Sequence, residues 1–528
     1  MQLKDEYYYL ALRIIFISVS ILMIAFILFS DFYEIIFRVP DDASYYLKIA
    51  ENFNNGKGFS FDGLHQTNGF QPLWQYILIA LTFIYRSDPE TTLRIVLILQ
   101  IVLLFLSGNL LFRFLSDYFT YKIIFAGGII FILFVFFQSV NSMETALLIF
   151  MISVILFFSG TKKIIEIHNS RNEFIFGILS GLLILTRLDS VFFIFPVILI
   201  CIFNIFSSDD RRKKMLTLFL IFAGSALVLM PYLIYNYKEF GNIIPVSGYL
   251  KSGFHEVKFN DKFNDLLHYR ETYFAFTAVI YLIWYFVKFK MNKNDFFCSC
   301  LAVMSAGVIC LLIYMIFFLN WVIFSWYFIT YSLFVSLAVC LPLRYLLSLL
   351  IVRKANILFF FIIIIISFYW GFKIYNFYTT GYKILGSNWN IESFEAAQWV
   401  KQNSQPGDIF AMKDAGHFSY FSEREVINLD GLVNNFEYQE VLKDKLLNDY
   451  LTKNRVKYIV QHALWNRSDI TSGDYENLSL KYFSHKYSAE SDPVVVRKAD
   501  ELYRSAPYYD GHYETVFLIW KYEPQMTK

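Results

Sequence analysis

Leu73-Trp74-Gln75-Tyr76-Ile77-Leu78-Ile79-Ala80-Leu81-Thr82-Phe83-Ile84-Tyr85 decides how this chain is threaded. As a helix these 13 residues reach only about 20 Å, against a bilayer core of about 30 Å. The run is therefore expected to dip into the interface without crossing. Upstream, the apolar run 10–30 is long enough to span and has no small-residue cleavage site after it, so it reads as a retained first helix. Downstream, apolar runs at 92–112, 121–138, 145–159, 174–187, 191–206, 215–236, 272–289, 296–319, 326–348 and 356–376 bring the expected spans to 11.

Basic residues test that threading, because short loops rich in Lys and Arg face the cytoplasm. With 73–85 left out of the count, the inner gaps collect Arg113 and Lys122, then Lys162, Lys163 and Arg171, then Arg211, Arg212, Lys213 and Lys214. Lys288, Lys290 and Lys293 follow, and finally Arg344, Arg353 and Lys354. An odd number of crossings puts the amino terminus in the cytoplasm and the last 150 or so residues outside. The expected fold is a polytopic α-helical membrane protein of about 11 transmembrane helices with a C-terminal extracytoplasmic α/β domain. The division is 1–379, with an interfacial first outer loop at 31–91, and 380–528. In the second part a helical pattern at 391–403, strand-like runs at 408–412, 425–429 and 457–461, and a helix over 438–453 alternate as in a small α/β unit.

Composition agrees. Of 528 residues, 57% are hydrophobic and 17% charged, against roughly 45–50% and 25% in soluble domains. A net charge of +2 offers no footprint for nucleic acid. The five cysteines (Cys201, Cys298, Cys300, Cys310 and Cys340) lie in or beside apolar segments and suggest neither a disulfide nor a zinc site. The chain has no internal repeat of the kind that builds transporters from duplicated halves.

Polar residues that the bilayer disfavours gather on the outer face. Pro40 opens a helix with Asp41 and Asp42 in its first turn, and apolar residues at 43, 46, 47 and 50 give it one greasy stripe, as for a helix lying on the membrane surface. His65, Asn68, Gln71 and Trp74 belong to a polar and aromatic loop suited to binding a sugar. Glu144 and the pair Arg187 and Asp189 interrupt apolar sequence, which is costly unless they are solvated or paired. Lys251 ends a loop shaped by Gly241 and Pro245 and offers a point charge for phosphate. Tyr327 closes the aromatic run from Trp321, a position typical of an interfacial belt. Helix capping, a local Arg–Asp pair and solvated lysines explain these residues one at a time. Together they form the set needed to transfer a group from an anionic lipid-linked donor: a carboxylate to deprotonate a hydroxyl and cations to hold a phosphate leaving group.

These motifs resemble integral-membrane glycosyltransferases of the C superfamily (GT-C), which use polyprenyl-phosphate sugars. The resemblance rests on Asp41-Asp42, Gly56-Lys57-Gly58, and Asn68-Gly69-Phe70-Gln71-Pro72-Leu73-Trp74, followed by Met143-Glu144, Arg187-Leu188-Asp189 and the Phe240-to-Lys251 loop. It covers about residues 1–380 and looks closest to the branch that contains cell-wall arabinofuranosyltransferases and many unassigned bacterial members. It implies an inverting transfer of one sugar to an envelope glycan, lipid or protein on the outer face of the cytoplasmic membrane. Asp41 or Asp42 would be the catalytic carboxylate, with Asp41 preferred. Glu144 would be the second acidic motif, Arg187 and Lys251 would bind the donor phosphate, and His65, Asn68, Gln71, Trp74, Asp189 and Tyr327 would shape the sugar and acceptor site. Glu144 lacks the paired Asp-x-Asp pattern that holds a divalent metal in oligosaccharyltransferases, so no metal or other cofactor is predicted. A lipid or glycan flippase is the competing reading, but its essential polar residues should line helices at mid-membrane. For an envelope assembly scaffold, the third reading, Asp41 and Asp42 would be dispensable. Single cysteines introduced at Ile165 and Ile470, with the native five removed, test the threading. An impermeant thiol reagent should label intact cells at 470 and not at 165.

Overall fold

The computed structural model describes residues 2–162, 168–207, 210–252, 263–289, 296–349, 361, 364–365, 367–369, 371–376, 379–464, 475–478, 494–509 and 514–523. Among them, 8 helices are long and apolar enough to cross a bilayer: Glu6–Phe29, Pro89–Ser116, Tyr121–Ser139, Thr145–Lys162, Leu188–Ser207, Arg211–Phe240, Phe296–Phe317 and Ser325–Leu347. Two more expected spans are present as helices, Ser170–Thr186 and Arg270–Phe289. Of the last expected span, 356–376, residues 361, 364–365, 367–369 and 371–376 are described and are helical, and the others lie outside the described residues. The deciding run forms a single helix of 13 residues, Pro72–Ile84, with proline at its first position where no hydrogen bond is lost.

Local chemistry sets many boundaries. Asp88 caps the Pro89–Ser116 helix by accepting from Thr91 N–H, and Gly241 ends Arg211–Phe240 in the left-handed conformation at φ +67°. The expected span 174–187 stops one residue early. Arg187 is extended at φ −157° and stands in the break between two helices. That break lets its guanidinium leave the helix surface.

Ser170–Thr186 and Arg211–Phe240 pack backbone to backbone. A Cβ on Gly177 would collide with the carbonyl oxygen of Ile221, and one on Gly224 with that of Phe174. Small residues at such crossings replace the hydrophobic drive that lipid cannot supply.

Among the described residues the C-terminal domain carries eight strands: β1 (Ile409–Met412), β2 (Glu425–Asn428), β3 (Tyr458–Leu464), β4 (Tyr475–Leu478), β5 (Val494–Arg497), β6 (Glu501–Arg504), β7 (Tyr508–Tyr509) and β8 (Glu514–Lys521). The main sheet runs β2-β1-β3-β8-β6, with β7 also on β8, while β4 and β5 pair separately. β1 is parallel to both β2 and β3, and β3 is antiparallel to β8. The helix expected over 438–453 is two, Phe436–Lys443 and Leu447–Lys453, broken where Lys445 takes φ +59°. A helix absent from the sequence reading, Gly416–Ser422, follows β1 and is buried throughout.

That short helix corrects the surface-helix expectation for the first outer loop. Asp41–Asn54 is a helix as expected, but Ala43 to Ala50 are all buried, both faces included. One side meets the membrane bundle through Pro72–Ile84, and the other meets Gly416–Ser422. Alternating stripes give no sign of a second covering because the cover arrives from residues about 370 positions later in the sequence. Gly177→Val should force the two closely packed helices apart, lowering the unfolding midpoint by the equivalent of about 1–3 kcal/mol in a detergent-solubilised thermal melt.

Candidate functional site

Asp41 and Asp42 are adjacent, but successive helix side chains diverge by about 100°. The Asp41 carboxylate accepts the backbone N–H groups of Gly416 at 2.8 Å and His417 at 2.7 Å. His417 is held in turn by Asp41's own segment: its Nε2 lies 3.0 Å from the Val39 carbonyl and its Nδ1 2.7 Å from Ser44 Oγ. A carbonyl only accepts, so Nε2 carries the proton and Nδ1 accepts from the serine. Burial pushes the His417 pKa down to about 4, which keeps this arrangement neutral. Asp41 is thus committed to fastening the C-terminal domain to the Asp41–Asn54 helix.

Asp42 points the other way, into a cavity of about 1040 Å³. Gln71, Glu144, Arg187, Asp189, Lys251 and Tyr327 line the same cavity, so seven of the eleven candidate residues converge there. The Asp42 carboxylate makes no hydrogen bond among the described residues, unlike its neighbour.

Each of the other groups is positioned by its loop. Glu144 follows a tight turn in which Ser142 takes φ +63°. Gln100 pins the turn, accepting from Asn141 N–H at 3.0 Å and Ser142 N–H at 2.7 Å and donating to the Met143 carbonyl at 2.5 Å. Trp74 donates its indole N–H to the Ser142 carbonyl at 3.2 Å. Tyr46 donates its hydroxyl to Glu144 Oε2 at 3.0 Å, and Arg187 Nε lies 3.8 Å from Oε1. Arg187 is gripped by Asp189 through two bonds, 3.0 and 2.7 Å, and donates to the Trp326 carbonyl at 3.0 Å. Lys251 ends the helix Val246–Lys251, whose first N–H is accepted by Asn68 Oδ1 at 2.9 Å. Its carbonyl receives Asn320 N–H at 2.8 Å. Both cations flank the Tyr327 ring, at 5.7 Å for Arg187 and 6.0 Å for Lys251.

His65, Asn68 and Trp74 do not line the cavity. His65 pairs with Asp62 at 2.7 Å and its ring lies against Tyr450 of the C-terminal domain, while Asn68 and Trp74 brace the loops that carry Lys251 and Glu144. The loop expected to be a sugar surface is mostly a bracket, buried because the C-terminal domain closes over it. A Cβ on Gly69 would strike the Leu432 carbonyl oxygen. Leu432 and Val433 themselves form part of the cavity wall. They are set there by Asp430, which accepts from Leu432 N–H at 2.8 Å and from Tyr45 Oη at 3.0 Å. Tyr46, Gln100 and Asp430 were missed in the sequence, where no local pattern marks them.

Electrostatics separate the acids further. Burial, reinforced by Asp430 and Glu144, raises the Asp42 pKa to about 6, with Lys251 pulling against the rise. Burial also raises Glu144, opposed by Arg187. For Lys251 burial works against the charge, but Tyr327 and Asp42 outweigh it and hold the ammonium above its ordinary range. Among the described residues no three His, Cys, Asp or Glu side chains converge as metal ligands would.

Solved structures match the fold of this chain over most of its length. ArnT from Cupriavidus metallidurans bound to undecaprenyl phosphate superposes with a TM-score of 0.53 at 8% identity, covering 96% of this chain and 97% of that one. The fold is ArnT-like. ArnT in the apo state gives a TM-score of 0.52 at 10% identity, over 85% of this chain and 92% of its own. The expected architecture, a polytopic helical membrane protein with a C-terminal domain, therefore holds at the level of the fold. Residues 382–514 match a domain family described as a domain of unknown function (DUF8728). No curated protein matches the sequence.

Asp41→Ala should leave two backbone N–H groups without their acceptor, at about 1–3 kcal/mol each for an unmet buried donor. Faster hydrogen exchange at 416–422, with the membrane bundle unchanged, would report the loosened junction.

Proposed function

We propose that the protein is an inverting glycosyltransferase that moves one sugar, a hexose or pentose, from a polyprenyl-phosphate carrier to an envelope glycan, lipid or protein. Asp42 is the base in this reading, in place of the Asp41 preferred from sequence, because Asp41 is occupied in holding Gly416 and His417. The observation that carries the proposal is an uncommitted carboxylate and two cations, Lys251 and Arg187, lining one cavity of an ArnT-like fold. ArnT has been captured with undecaprenyl phosphate, a lipid of the class the proposal requires.

The chemistry follows from charge. A polyprenyl-phosphate sugar is a singly charged diester, and its leaving group gains about one further negative charge, so cations beside it act more strongly as the bond breaks. Arg187 has three of its donor positions engaged by Asp189 and Trp326, which makes Lys251 the more available partner for phosphate. Glu144 and Asp189 orient Arg187, and Gln71 and Tyr327 shape the sugar pocket. Residues 1–379 are read as the membrane catalytic unit in the cytoplasmic membrane, with the amino terminus inside and 380–528 outside. The finer placement beside arabinofuranosyltransferase-like members rests on the Asp41-Asp42 and Asn68-to-Trp74 motifs.

Mass spectrometry of envelope glycans from cells with and without the protein should reveal one missing sugar, naming donor and acceptor together. With those substrates, Asp42→Asn should cut transfer by about 10²–10⁴-fold while membrane expression persists. Near-normal transfer would remove Asp42 from the chemistry. A base is active when deprotonated, so the rate should fall as pH drops through about 6. Lys251→Gln removes the charge that lowers the Asp42 pKa, and the acid limb should move to higher pH.

A further inference from the structure

A second cavity, of about 1170 Å³, opens far from Asp42. Glu144 and Ser159 stand at opposite ends of the Thr145–Lys162 helix, and Arg187 and Glu173 at opposite ends of Ser170–Thr186. The first residue of each pair lines the Asp42 cavity and the second lines this one. At 1.5 Å per residue the separation is about 20 Å, so the two cavities open toward opposite membrane faces.

The body of the second cavity is apolar, walled by residues such as Ile152, Ile155, Leu183, Val197, Ile200 and Val303. One end is polar and contains a carboxylate that the local contacts only half satisfy. Glu173 is 1% exposed. Its Oε1 accepts from His168 Nδ1 at 2.8 Å and from Thr217 Oγ1 at 2.8 Å. Its Oε2 is buried with no hydrogen-bond partner among the described residues. Lys214 lines the same end. A buried carboxylate oxygen at membrane depth calls for a donor, and a half-buried lysine at the interface calls for an anion.

We propose that this cavity binds one phospholipid with a primary ammonium headgroup, its acyl chain in the apolar body, its ammonium donating to Glu173 Oε2 and its phosphate facing Lys214. Charge complementarity selects this occupant. An anionic headgroup would set its charge against Glu173. A trimethylammonium headgroup has the right charge but no N–H to donate. Phosphatidylethanolamine meets both ends, as a zwitterion matched to a carboxylate and a lysine.

Native mass spectrometry of the delipidated full chain, exposed to mixed micelles with equal amounts of phosphatidylethanolamine, phosphatidylcholine and phosphatidylglycerol, tests this. The wild type should retain one phosphatidylethanolamine in preference to phosphatidylcholine by at least about tenfold, the lower bound for a hydrogen bond to a charged group. Glu173→Gln should bring the two lipids level, and Lys214→Gln should reduce both, since both carry the phosphate. Val303→Trp fills the apolar body and should remove the bound lipid whatever its headgroup, which tests the site even if Glu173→Gln fails to fold. Equal retention of the two zwitterionic lipids by the wild type, preference for phosphatidylglycerol, or an undiminished preference in Glu173→Gln would overturn the proposal.

Discussion

Two carboxylates on consecutive residues of a helix cannot face the same neighbour, and this geometric constraint organises the end of the molecule that holds the cavity. Asp41 turns toward the C-terminal domain and takes two of its backbone N–H groups, which leaves Asp42 turned toward the cavity. On the proposed reading fastening and chemistry are divided between adjacent residues, so the register that docks the C-terminal domain also aims Asp42. A shift of the Asp41–Asn54 helix by one residue would put only one aspartate in the other's place, Asp41 in the cavity or Asp42 at the junction according to direction, and leave the vacated role unfilled.

The C-terminal domain therefore belongs to the site. Through Tyr45, Asp430 is tied to the helix that carries both aspartates, and through Leu432 it is tied to the cavity wall. Thr67 reaches across to donate to the Asn434 carbonyl at 2.6 Å, one residue past Val433. The same loop presses on Gly69, where only a residue without a side chain fits. A domain joined this closely forms part of the cavity wall and, on the proposed reading, bears on which acceptor can approach Asp42.

What could be read from the sequence follows the range of the forces involved. Spanning helices announce themselves because the bilayer demands about 20 apolar residues in a row, and the short Pro72–Ile84 helix stood out for failing that demand. Charges in apolar surroundings are costly, so Glu144, Arg187 and Asp189 stood out, Lys251 stood out at the end of a loop shaped by glycine and proline, and all four line the cavity. Polar residues in an outer loop carry no such penalty. His65, Asn68 and Trp74 looked like ligand contacts but brace loops, a distinction made by partners at Tyr450, Val246 and Ser142 that lie far off in sequence. The different surroundings of Asp41 and Asp42 were hidden for the same reason, since they depend on a helix that no local pattern announced.

The charges in the cavity couple donor binding to the strength of the base. With all groups ionised, Asp42, Glu144 and Asp189 set three negative charges against the two positive ones of Arg187 and Lys251, a net of −1. Asp189 and Arg187 largely cancel through their two-point contact. Lys251 is then the charge that both Asp42 and an incoming phosphate seek, and its pull is what restrains the rise of the Asp42 pKa. On the proposed reading, a donor phosphate that draws Lys251 toward itself releases that restraint. Asp42 gains proton affinity as the acceptor hydroxyl beside it needs to lose a proton. The pocket then makes its base strongest with the donor in place, so the step that binds the donor also readies the carboxylate, and an empty cavity has less tendency to activate water.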